Sequence, residues 1–234
     1  MSIRDNIASV RRQIDAAAER AGRDPSRIKL IAVSKTMPAD AVYEAYGEGL
    51  TAFGENYAQE LAAKMHSELL AGLPNIEWHM IGHMQTNKVK TIVGKTALIH
   101  SLDSIRVAEV IQKQAEKISV TADALLEINI AGEMNKFGFS PDEAHDAIEA
   151  VSAFGNIRIL GLMASAPYTQ NPEENRVYFR QMNDLYLDIG NKRIDNTRMS
   201  ILSMGMSGDF EIAVEEGSTM LRIGTRIFGR REKD

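Results

Sequence analysis

Lys35 follows Ile31-Ala32-Val33-Ser34, a short apolar run that reads as a strand, so its amine stands at the carboxyl end of that strand. With apolar walls on several sides an ammonium is poorly solvated. Its pKa falls, and the freed lone pair can attack an aldehyde. A strand-end lysine reaching into water is the bland reading, and Lys35 alone does not exclude it. Two further stretches bear on the choice. Ser203-Met204-Gly205-Met206-Ser207-Gly208 and Arg222-Ile223-Gly224-Thr225 both combine small residues, which let backbone N–H groups close on an anion, with hydroxyls that can donate. A single turn of this kind is no more than a tight strand-to-helix connection; the pair points to phosphate. An amine facing a phosphate cup suits a cofactor that carries both an aldehyde and a phosphate.

Other residues invite chemistry less. Lys136, in Glu133-Met134-Asn135-Lys136-Phe137-Gly138, follows a strand pattern and reads as a solvated loop lysine, with a second attachment point or a release gate as the alternative. His79 and His83 have the four-residue spacing of a helical metal pair, but the pattern around them is strand and loop, so packing or hydrogen bonding is expected and metal is not. Ser34 and Ser207 lack the G-x-S-x-G elbow of a serine hydrolase. Met199, Met204, Met206 and Met220 cluster near the cup and are read as barrel packing.

The elements that must position these residues alternate. Ile3, Ile7, Val10 and Ile14 recur at helical spacing behind Ser2, and the pattern stops near Gly22. Strand patterns then cover 28–34, 52–54, 76–81, 97–102, 124–130, 157–163, 199–204 and 220–223, with helices predicted at 38–49 and 57–70 among the connections. Consecutive apolar residues, as in Leu30-Ile31-Ala32-Val33, suit parallel strands covered on both faces. Eight βα units in a chain of 234 residues, without a G-x-G-x-x-G turn, predict an α/β fold: a single TIM-type (β/α)8 barrel over 1–234 with an extra N-terminal helix. In that fold the reactive groups stand at the carboxyl ends of the strands, and phosphate is commonly held after strands seven and eight, where the two Gly/hydroxyl turns lie.

A net charge of −5, with cations scattered among carboxylates, gives no basic face for nucleic acid. Zero cysteines exclude disulfides, thiolate zinc and a Cys nucleophile, and agree with a reducing compartment. The start, Ser2-Ile3-Arg4-Asp5-Asn6, is charged where a signal peptide is apolar, and no run approaches the ~20 apolar residues of a membrane helix. A cytoplasmic protein is expected, with Arg230-Arg231-Glu232-Lys233-Asp234 as a solvated tail.

Six blocks, in order along the chain, carry a resemblance: Ala32-Val33-Ser34-Lys35-Thr36, Phe53-Gly54-Glu55-Asn56-Tyr57, Trp78-His79-Met80-Ile81-Gly82, Gln85-Thr86-Asn87-Lys88, Ser203-Met204-Gly205-Met206-Ser207 and Arg222-Ile223-Gly224-Thr225. The chain resembles the pyridoxal phosphate homeostasis protein family, whose fold is similar to the barrel of alanine racemase, the fold-type III class of enzymes using this cofactor. The resemblance implies pyridoxal 5'-phosphate (PLP) held as a Schiff base on Lys35. It implies Ser203, Ser207, Gly224 and Thr225 at the phosphate with Met206 beside them, Arg222 at the pyridine nitrogen, and Asn56 and Met80 on the ring side. It further implies a role in vitamin B6 balance without established turnover, storing PLP or delivering it to apo-enzymes. His83 departs from the resemblance, which leads one to expect proline after Gly82.

A cationic Arg222 disfavours protonation of the ring nitrogen and weakens the ring as an electron sink. Racemases with this arginine draw a second acid–base residue from an additional domain, and the sequence ends about ten residues after Thr225. A carrier is therefore expected, and a monomer too, since the racemase-like barrel dimerises through contacts that include the additional domain; a racemase-like enzyme on amino acids and a partner-binding scaffold are the alternatives.

Overall fold

The short apolar runs fold into parallel strands that pair in chain order and close on themselves, as seen in the computed structural model, which describes residues 2–192 and 194–229. The predicted tail, 230–234, lies outside the described residues. Helix α1 (Ile3–Arg20) leads to β1 (Lys29–Val33), α2 (Ala39–Gly47), β2 (Ala52–Glu55), α3 (Ala58–Met65), β3 (Glu77–Met80), α4 (Val89–Ile92) and β4 (Leu98–Leu102). The second half runs α5 (Ile105–Lys117), β5 (Ala122–Ile128), α6 (Ala144–Ser152), β6 (Ile157–Ala164), α7 (Arg176–Asn191), β7 (Thr197–Ser203), α8 (Phe210–Glu215), β8 (Met220–Ile223) and α9 (Thr225–Phe228). The barrel closes where β1 meets β8, with Ile31 opposite Arg222 and Ala32 opposite Ile223. This is the α/β TIM-type barrel, preceded by a helix, that the sequence pattern predicts.

Side chains alternate between the two faces of each strand, which divides the core. Inside the barrel, Ile31, Ala52, Leu98, Leu125, Met163 and Met220 form a separate apolar layer. A larger layer, including Phe53, Met80, Leu102, Leu126 and Phe210, fills the space between strands and helices. Above the inner layer, toward the carboxyl ends, the barrel interior turns polar and the site is built there.

Some boundaries move for physical reasons. The strand expected at 124–130 occupies Ala122–Ile128: Arg158 on β6 reaches Asp123 at 2.7 Å and extends the pairing downward, while Asn129 turns its amide to the Glu133 carbonyl at 2.9 Å and leaves the ladder. The helix expected at 57–70 stops at Met65, because the chain turns at Ser67, whose carbonyl accepts from the N–H groups of Leu70 and Ala71.

The N-terminal helix has a defined task. Ser2 and Asp5 form a reciprocal capping box that fixes its start. Ile7, Val10, Ile14, Ala17 and Ala18 are buried, and the helix packs on α8 and α9, the two helices that follow the phosphate-shaped turns. The Asn6 amide donates to the Ile227 carbonyl at 2.9 Å, and Arg20 pairs with Glu215 at 2.7 Å. Helix α1 thus buttresses the back of the cup.

Candidate functional site

The turn after β7 and the turn after β8 are joined directly. The Gly224 N–H donates to Ser207 Oγ at 3.2 Å, and the Arg222 N–H donates to the Gly205 carbonyl at 3.1 Å. Gly205 has φ +92, and a Cβ there would stand 2.5 Å from the Ala213 Cβ, so the turn needs glycine on both counts. The Met206 N–H is held by Asp209 Oδ1 at 2.7 Å, and Asp209 in turn accepts from Asn175 at 2.8 Å. Gly224 opens α9 with the Thr225 side chain exposed beside it. A Cβ on Gly224 would lie 3.1 Å from the Val33 carbonyl oxygen, so this cup abuts the end of β1, two residues before Lys35. Lys35, Met206, Ser207, Gly224 and Thr225 are therefore brought to one place.

Lys35 sits in the turn after β1, half-buried, between two residues clamped from outside the barrel. Ser34 donates through Oγ to Glu55 Oε1 at 2.6 Å, and its carbonyl accepts from Lys64 Nζ at 2.6 Å. Lys64 also meets Glu55 Oε1 at 2.6 Å. Thr36, at φ +63, donates its N–H to Glu60 Oε2 at 2.7 Å. Burial pushes the Glu55 carboxyl up, against the pull of Lys64 and Ser34. Nothing local in the sequence marks this clamp; its partners are spread over β1, β2 and α3.

Arg222 points into the barrel and is 4% exposed. Its Nη1 donates to the Ser203 carbonyl at 2.9 Å and to Ser203 Oγ at 2.7 Å; its Nη2 donates to the Ala164 carbonyl at 2.8 Å and to Ser165 Oγ at 3.2 Å. Burial pulls the guanidinium down to about 10, against the opposing charges of Glu127 and Asp209, and it stays protonated at neutral pH. Ser203, expected at the phosphate, is fully buried with its hydroxyl engaged by Arg222 and by His100 Nδ1 at 3.0 Å. It supports the arginine from beneath the cup. Glu127 on β5 faces the same interior with Oε2 unpartnered; burial, then Asp103, push it up to about 7, while Arg222 opposes.

Asn56 and Met80 border a groove of about 480 Å³ at the rim, which Gly82, His83 and Phe137 also line. The Met80 side chain packs in the outer core, because His79 takes the inward position on β3. His83, standing where proline is expected, bonds through Nδ1 to Asp103 Oδ2 at 2.5 Å and is stacked by Phe137, ring centroids 3.6 Å apart. His79 turns instead to His100, so the two histidines have different partners. Lys136 is not a solvated lysine: its Nζ donates to the Ser165 and Ala166 carbonyls at 3.2 Å each and pairs with Glu133.

A strand-end lysine beside two joined Gly/Ser turns at the carboxyl end of a (β/α)8 barrel, with an arginine beneath, is set in a barrel of the racemase type: the family model described as "Alanine racemase, N-terminal domain" matches residues 6–232. The same fold appears in alanine racemase of Clostridium difficile, at a TM-score of 0.69 and 17% identity over 100% of this chain and 58% of that one. Nearer relatives narrow the class: the pyridoxal phosphate homeostasis protein of Aquifex aeolicus is 44% identical over 99% of this chain and 100% of its own length. PipY of Synechococcus elongatus, solved with PLP bound, superposes with a TM-score of 0.83 at 33% identity, covering 97% of this chain and 100% of that one. The chain belongs to the pyridoxal phosphate homeostasis protein family.

Proposed function

We propose that this protein binds PLP as a Schiff base on Lys35 and serves vitamin B6 homeostasis by storing the cofactor and releasing it to apo-enzymes. The observation that supports the reading is the junction of the Ser207 and Gly224 turns against the end of β1, which sets two Gly/Ser turns beside the half-buried Lys35. The residues fit the cofactor: Ser207, Gly224 and Thr225 would receive its phosphate with Met206 beside them, Lys35 would receive its aldehyde, and Arg222 its ring nitrogen, with Asn56 on the ring side. PLP supplies an electrophilic carbon and a conjugated ring. The protein's own contribution is to hold it. A guanidinium whose four terminal N–H groups are fixed by four contacts keeps its Nε–H as a donor toward the ring nitrogen and is not a proton source for it, which suits retention without turnover.

Borohydride reduction of the loaded protein, followed by peptide mapping, tests the assignment. Label on Lys35, with no yellow species formed by Lys35→Ala, is the expected result; label on Lys136 instead would overturn it. A second reading, a racemase-like enzyme acting on amino acids, draws on the Asp103-oriented His83 at the groove shared with Asn56 and Met80, a second acid–base group in kind. Sustained conversion of L-alanine to chiral product, lost in His83→Ala, would favour it.

A further inference from the structure

Two buried histidines remain outside the site as described. His79 Nδ1 lies 2.9 Å from His100 Nε2, His100 Nδ1 lies 3.0 Å from Ser203 Oγ, and Ser203 Oγ lies 2.7 Å from Arg222 Nη1. His79 is 1% exposed, and His100 and Ser203 are fully buried. At the far end, His79 Nε2 faces Glu77 Oε2 at 3.7 Å, a contact too long for a hydrogen bond, and Glu77 is itself paired with Lys29 at 2.5 Å. The row runs through the barrel from β8 by way of β7 and β4 to β3.

Its direction follows from its ends. Arg222 can only donate, so Ser203 Oγ accepts from it and is left with one proton to give. Given to His100 Nδ1, that proton places the imidazole N–H of His100 on Nε2, where it donates to His79 Nδ1. His79 then carries its own N–H on Nε2, aimed at the Glu77 carboxylate. The reverse order would leave the Ser203 proton without an acceptor in the row and set a bare His79 lone pair against a carboxylate. Each dipole points from the cation toward the anion, and both rings are neutral. Burial holds both imidazoles below their ordinary value, His100 well below it.

We infer that His79 and His100 are positioning residues that act through Ser203 to lock Arg222 in a single orientation for the ring nitrogen of the bound cofactor. The inference rests on the assignment of Arg222 in the proposed function. Without His100 the Ser203 proton loses its acceptor in the row, and the hydroxyl oxygen that receives Nη1 is no longer fixed from its other side. A carboxamide can take the place of His100, since its oxygen accepts from Ser203 and its N–H donates to His79.

Imidazole ¹⁵N NMR of the cofactor-free protein tests the row apart from any cofactor: both rings should carry a single proton, on Nε2, at neutral pH. A proton on His100 Nδ1, or a doubly protonated ring, overturns the inference. With PLP, His100→Gln should retain the cofactor within about twofold of the parent, whereas His100→Leu should weaken it about tenfold and displace the pH titration of its absorption band. If His100→Leu lowers only the unfolding temperature and leaves affinity and titration unchanged, the histidines merely pack. Failure of the parent to bind PLP would instead remove the proposed function, leaving the NMR result standing.

Discussion

Ser34 and Thr36, the neighbours of Lys35, are held by the carboxylates of Glu55 and Glu60 and the ammonium of Lys64, so the backbone on either side of the lysine is set from outside the barrel. Lys64→Met should show this. It leaves Glu55 buried without its cation, with only the Ser34 hydroxyl as partner, a loss of up to about 3–5 kcal/mol, whereas Glu55→Leu/Lys64→Met should recover most of it. Chemical denaturation of the two variants measures the difference; equal losses would mean that the pair is not coupled. Glu127 gives a pH signature. Its carboxyl is raised from 4.5 to about 7 in the fold, so its contribution to stability is complete below 4.5 and is lost as pH rises through 7. For the cofactor-free protein, Glu127→Gln should gain on the parent between pH 5 and pH 8, by up to about 3 kcal/mol. Parallel stability curves would contradict the assignment. Lys35, Ser207 and Gly224 are legible in the sequence because strand ends and small-residue turns leave local marks. The contact of His100 with Ser203 joins residues 103 apart, and Ser203 looks like a phosphate ligand until strand parity turns it inward.

At the scale of the element, β6 carries an irregularity on which the site depends. The pairing with β7 shifts between Ile159 and Gly161, and with β5 between Ala124 and Leu125. Gly161 has φ +149, and a Cβ there would fall 1.8 Å from the Ile201 carbonyl oxygen. The shifted upper part of β6 delivers Ala164 and Ser165 to Arg222. Gly161→Ala should therefore cost more than the ~1 kcal/mol of an ordinary glycine exchange and should lower cofactor retention as well as the unfolding temperature. A variant with lower stability but unchanged affinity would separate the bulge from the site. The eight strands were readable from their apolar runs, and the N-terminal helix from its spacing. The bulge was not, because Leu160-Gly161-Leu162 differs little from an unbroken strand. The service of α1 to the cup was hidden for another reason: amphipathic spacing shows that a face is buried, not what it is buried against.

For the molecule as a whole, an apolar layer seals the lower barrel while titratable groups converge on the mouth: Lys35, Glu127 and Arg222, with His83 and Asp103 at the rim. Such a mouth is held in place at a cost, since Glu127 Oε2 is buried without a partner and two histidines are kept neutral. A ligand that binds only the folded barrel offsets that cost by mass action. At a hundredfold excess over its dissociation constant, PLP should add about 2.7 kcal/mol. For a chain of this length that corresponds to a rise of roughly 5–10 °C in the unfolding midpoint. The rise should grow with PLP concentration, disappear when the cofactor is stripped, and shrink sharply in Lys35→Ala, where only the non-covalent grip of the cup remains. Differential scanning calorimetry across a PLP titration measures all three. A midpoint that does not move with PLP in the parent protein would mean that the mouth, however well shaped, does not hold this cofactor.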